Sequence, residues 1–91
     1  MAVDADALVR HGEVVMSARL QDLSRGGAAL VAFAPPPHEA RVTLELDGWL
    51  IDARVAWSVG RRFGLSFETP LRATDVLLFS RKGGSQPFVL V

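Results

Sequence analysis

The sequence predicts a mainly β fold, a small six-stranded antiparallel barrel with a short C-terminal helix able to plug one end. Three observations lead there. Apolar and polar residues alternate with period two through the first two-thirds of the chain, the pattern of half-buried strands. Turn residues interrupt that alternation about every eight to twelve positions, the spacing of small all-β domains. After Phe67 the alternation stops and helix signals take over. Closing the sheet into a barrel would remove the unpaired edges that otherwise invite aggregation.

The elements follow in order. A first strand is expected from about Ala5 to Arg10, ended by a tight turn at His11-Gly12. Glu13 to Asp22 alternates next, with Val14, Met16, Ala18 and Leu20 on one face and Val15, Ser17, Arg19 and Gln21 on the other. Asp22 to Gly27 breaks the strand, and Ala28 to Phe33 resumes it. The prolines at 35, 36 and 37 lack N–H donors and must lie in a loop or edge crossing. Arg41 to Leu46 is a fourth strand. Asp47-Gly48 marks a hairpin, because a type I′ turn needs positive φ at both central residues. The returning strand is expected to carry Trp49, Ile51, Ala53, Val55 and Trp57 toward the core. Gly60-Arg61-Arg62 turns the chain, and Phe63, Leu65 and Phe67 line the core from a sixth strand. Thr69 suits a helix cap and Pro70 a first turn. A helix is expected over about 70–81 with Leu71, Thr74 and Leu78 along its apolar stripe, stopped by Gly83-Gly84.

The bulk properties narrow the function. At 91 residues the chain is read as a single domain, barrel about 5–68, helix about 70–81 and an apolar tail at 83–91. It has no cysteine, so disulfide and thiolate chemistry are excluded. Net charge is zero, which speaks against a general nucleic-acid binder. No apolar run approaches the roughly 20 residues of a membrane-spanning helix. The first residues include Asp4 and Asp6 and lack the basic start of a secretion signal, so a cytoplasmic location is expected. His11 and His38 have no second ligand at metal-binding spacing, and no serine sits in a nucleophile elbow, so neither a metal site nor an enzyme is expected.

One stretch carries a signature. Asp22-Leu23-Ser24-Arg25-Gly26-Gly27 has the form D-x-S-x-x-G. Locally it is a sharp turn, in which Asp and Ser can bond neighbouring backbone groups and Gly27 can adopt conformations closed to other residues. Its surroundings add to this: a strand before it, Ala28-Ala29-Leu30-Val31 after it, and the later pair Ile51 to Trp57 and Phe63-Gly64-Leu65-Ser66-Phe67. Over roughly Val14 to Phe79 the chain resembles the PilZ domain family. The resemblance implies a non-enzymatic bacterial signalling module that binds cyclic di-GMP and acts on an effector protein. It assigns guanine contacts to Asp22 and Ser24, with Gly27 keeping the backbone close and Arg25 as a candidate cation within the motif. A carboxylate accepting from guanine N–H groups is reasonable chemistry.

The family's other motif, R-x-x-x-R before the first strand, has no counterpart, since no two arginines of this chain stand four apart. Arginine would grip phosphate and stack on guanine. Losing two charge-assisted hydrogen bonds, each worth about 1.5–3 kcal/mol, weakens binding a hundredfold or more. Three alternatives stay open: Arg10, Arg25, Arg61 or Arg62 converges on the site; the chain is a fragment of a larger receptor whose preceding segment or partner supplies the arginines; or the domain works by protein contact alone. The tail, Phe88-Val89-Leu90-Val91, is expected to fold back as a strand or to cover a partner, including a second copy in a homodimer.

Overall fold

The structure, a computed structural model, describes residues 1–83. Six antiparallel strands are formed by β1 (Ala2–His11), β2 (Val14–Leu23), β3 (Gly27–Ala32), β4 (Arg41–Leu46), β5 (Trp49–Val59) and β6 (Arg62–Phe67). They close into a barrel in the order β1-β2-β3-β6-β5-β4. The helix α1 spans Ala73–Gly83. No helix among the described residues is long and apolar enough to cross a membrane.

Alternation builds the interior as expected. Val9, Leu20, Leu30, Leu44, Val55 and Phe63 are fully buried, together with Leu23 beside the motif. Each such side chain contributes about 1.5–3 kcal/mol of burial. Asp47 and Gly48 adopt φ of 52° and 85°, the left-handed pair that the two-residue β4–β5 hairpin requires.

Three details differ from the sequence reading. The first strand starts at Ala2, because Ala2 pairs with Asp22 and the Leu23 N–H donates to the Met1 carbonyl at 2.9 Å. The helix begins at Ala73 instead of near Pro70. Leu71 donates its N–H to the Arg25 carbonyl at 2.7 Å and its own carbonyl accepts from Arg25 Nε at 2.9 Å, so Leu71 is held by the β2–β3 turn and cannot open the helix. The Asp75 N–H accordingly bonds Arg72. The buried stripe is therefore Leu71, Val76 and Phe79, while Thr74 and Leu78 face outward.

The third difference concerns the tryptophans, which do not point into the barrel. Trp49, 42% exposed, meets Phe79 edge to face at 5.5 Å and fastens the β4–β5 hairpin to the helix. Trp57 lies outside altogether, for a reason that shapes the site below. The apolar tail at 88–91 lies outside the described residues.

Candidate functional site

The outer surface of β2, β3, β6 and β5 carries a row of residues in direct cross-strand register. Asp22 pairs with Ala29, Ala29 with Gly64, and Gly64 with Trp57. Both ends of this row follow a β-bulge. In β2 the register slips between Leu20 and Asp22, so Leu20 and Leu23 both point inward and Asp22 is left outside. In β5 it slips between Val55 and Trp57, which inverts the alternation and turns the indole outward. One inserted residue reverses the face of everything after it. The carbonyl of the extra residue, Ala56, accepts from His38 Nε2 at 3.1 Å, which braces the second bulge.

Gly64 makes room for the indole. A Cβ there would lie 2.0 Å from Trp57 Nε1 and within 2.8 Å of two further ring atoms, so the ring rests on the glycine backbone. Over the ring lies the Arg62 guanidinium, 5.7 Å from the centroid, a cation–π arrangement. Between indole and carboxylate the floor is Ala29 and the backbone of β3.

The four motif residues sit together at one end of this row. Asp22 has a side chain 60% exposed and accepts from the Met1 α-ammonium group at 2.8 Å. That hydrogen bond, chiefly, holds the carboxyl below its ordinary range against desolvation, with help from the ammonium charge and the Leu23 N–H. The exposed Ser24 hydroxyl donates to the Gly27 carbonyl at 3.2 Å, and the Ser24 N–H donates to the same oxygen at 2.9 Å. This closes the turn and leaves the hydroxyl free to accept. Gly27 is required by packing: a Cβ would stand 2.2 Å from the Leu65 carbonyl oxygen of β6. Arg25 uses one of its five N–H donors on Leu71 and thereby ties the motif to the helix leader.

The other arginines are sorted by the fold. Arg10 bonds Glu45, and Arg19 bonds Asp4 and Asp6. Arg61 stacks on Phe33, 5.0 Å from its centroid, where β3 ends against the β5–β6 turn, at the opposite end of β3 from the motif. Only Arg62, of the four sequence candidates outside the ion pairs and the Arg25 latch, stands beside the row. Sequence reasoning missed Trp57 and Gly64, because an unbroken alternation hides them in the core.

A family model for the PilZ domain matches residues 1–81. The chain belongs to the PilZ family. PilZ domains form a cyclic di-GMP-binding family of signalling modules, binding domains in place of enzymes. No curated protein matches the chain. Within this PilZ domain the D-x-S-x-x-G turn lies at the Asp22 end of the outward-facing row, and no two arginines of the chain stand four apart.

Proposed function

We propose that this PilZ domain is a cytoplasmic adaptor in which cyclic di-GMP, bound at Asp22, Ser24, Arg25 and Gly27, alters contact with an effector protein. The observation that carries the reading is the outward Asp22 carboxylate, placed by a bulge at the end of a cross-strand row and free of the core. Its two oxygens offer more acceptor sites than the α-ammonium group occupies, which suits the adjacent N–H donors of guanine. Binding is weak compared with an arginine-bearing relative, since no R-x-x-x-R pair grips the phosphates. Calorimetric titration with cyclic di-GMP tests this. Heat of binding that disappears in Asp22→Ala supports the reading, and a flat titration at millimolar ligand removes it.

A second reading is a nucleotide-independent interaction domain, and the cation already resting on Asp22 favours it. A third is a piece of a larger receptor. The Met1 main chain is bonded to Leu23 in both directions, at 2.9 Å each way, so a preceding segment would leave beside Asp22 and could bring arginines there. Titration of a longer chain, where the gene encodes one, separates it from the others. Homodimerisation through the tail is a further proposal, tested by light scattering with and without residues 89–91; an unchanged mass removes it.

A further inference from the structure

We propose that the end of the barrel opposite α1 docks on an anionic lipid surface. Phe33 and Val59 enter the boundary between headgroups and acyl chains, and Arg41, Arg54, Arg61 and Arg62 meet lipid phosphate. The inference goes beyond the adaptor reading and does not depend on nucleotide binding.

The strand register gathers these residues at one end. His11 pairs with Val14 at the β1–β2 turn, Ala18 with Ala32 where β3 stops, and Val31 and Val59 both with Arg62 beside the β5–β6 turn. The β2–β3 turn and the β4–β5 hairpin, which hold Leu71 and Phe79, lie at the other end. Phe33 is 83% exposed and Val59 73%, and Val14 and Val15 are exposed beside them. Phe33 stands one residue past β3 and Val59 is the last residue of β5, so neither has a core to fill. The loop after Phe33 closes this end of the barrel with its own buried residue, Pro36. Apolar side chains gathered on a surface without an internal task mark a contact site.

Charge selects the partner. From Ala53 to Phe67 the sequence holds Arg54, Arg61 and Arg62 and no carboxylate. The Arg61 guanidinium lies 5.0 Å from the Phe33 ring centroid, which covers one face of the ring and leaves N–H donors for phosphate. Arg41 stands directly opposite Arg54, a like-charged pair that weakens the sheet until an anion lies over it. Among the described residues none of these four arginines has a carboxylate partner, in contrast to Arg10, Arg19 and Arg72. The carboxylates nearest them are Glu13 beside the β1–β2 turn, Glu39, 3.7 Å from His38, and Asp52, which accepts from Thr43. Cations stay in excess.

A lipid layer suits this end better than a folded partner does. The apolar groups stand on two hairpin turns and a strand end, and a fluid layer admits such tips one by one, whereas a protein needs a matched hollow for each. An aromatic ring beside an arginine also fits the depth order of a membrane surface, ring at the acyl boundary and cation among the phosphates. The contact is shallow and reversible, lying on the membrane and not spanning it.

The test is sedimentation of the whole chain with vesicles of phosphatidylglycerol and phosphatidylcholine, and with phosphatidylcholine alone. Binding is expected only on the anionic vesicles, and weaker as salt rises. Phe33→Ser is expected to lower partitioning about tenfold or more, and Arg61→Gln about fivefold. Both positions are exposed, so circular dichroism should match the parent; Val59→Ser is the second apolar test should Phe33→Ser unfold. The chain has no cysteine, so Val59→Cys and Leu50→Cys each take one polarity-sensitive fluorophore. Leu50 is 66% exposed but lies at the helix end, so a blue shift is expected at Val59 and none at Leu50. No sedimentation of the parent with anionic vesicles overturns the proposal and leaves this end to a protein partner. Equal shifts at both labels, or binding unchanged in Phe33→Ser and Arg61→Gln, overturn it as well. The heat of cyclic di-GMP binding is a separate readout, so either reading can fail alone.

Discussion

Asp22 and Trp57 lie at opposite ends of one cross-strand row, and each follows a β-bulge that turns it from the barrel interior to its surface. The relation is reciprocal in construction. Without the slip in β2, Asp22 and Leu23 would exchange faces; without the slip in β5, the indole would have to enter a core already filled by Phe63 and Leu65. Two local insertions thus place a carboxylate and an indole on the outer face of the barrel.

Gly64→Ala tests the seat of the indole. The new methyl would lie 2.0 Å from Trp57 Nε1, and what it meets is a side chain able to rotate away. The fold is expected to persist, with Trp57 emission shifted to the red. Unchanged emission in a Trp49→Phe background would show that the ring does not rest on Gly64.

Gly27→Ala should behave differently, although both glycines stand at crowded positions. Here the methyl would lie 2.2 Å from the Leu65 carbonyl oxygen, a backbone atom locked in the β3–β6 ladder. Relief requires the strands to separate, so a loss of about 2 kcal/mol or more is expected, in line with overpacking of a closed interior. Chemical denaturation measures it. A variant as stable as the parent would mean that the motif glycine serves the ligand and not the barrel.

How much of this was legible beforehand follows from where each signal resides. The Asp47-Gly48 hairpin is readable because its φ requirement is met by the two residues themselves. The six strands are readable because one face of each is buried and the period is two. Trp57 is misread because Ala56, the inserted residue, has nothing to mark it; its carbonyl is satisfied by His38, eighteen residues away in sequence. Asp22 escapes the same error only through its motif. The helix start is misread for a similar reason, since Leu71 is captured by Arg25 on a distant turn while Thr69 and Pro70 look like a sound cap.

Arg25→Ala removes that capture. The side-chain bond to the Leu71 carbonyl is partly buried and charge-assisted, worth about 1.5–3 kcal/mol with some loss to solvent. The substitution is expected to lower stability by about 1–2 kcal/mol and to free Leu71 from the barrel mouth, seen as faster amide exchange at Leu71 and Val76 than in β3. Equal protection in variant and parent would show that the Leu71 N–H bond to the Arg25 backbone suffices.

The acid side of the stability profile depends on two depressed carboxyls. Asp22 is held below its ordinary value of 3.8 by its hydrogen bond from the α-ammonium group, and Asp4 is held below the same value by its hydrogen bond from Arg19. A carboxyl with a lowered folded pKa stabilises the native state fully above the unfolded value, and that contribution fades as pH falls through the folded one. Stability contributed by these pairs is therefore level near neutrality and declines below about pH 4. Both pairs are exposed, so the decline is shallow and flattens further with salt. Acetylating the N-terminus separates the two. It removes the cation at Asp22 and leaves Arg19 in place, so the carboxyl titration of Asp22, followed by carbon NMR, moves up toward the ordinary value while that of Asp4 stays. If Asp22 titrates unchanged after acetylation, the amine is not its partner, and the carboxylate stands open to a ligand without a competing cation.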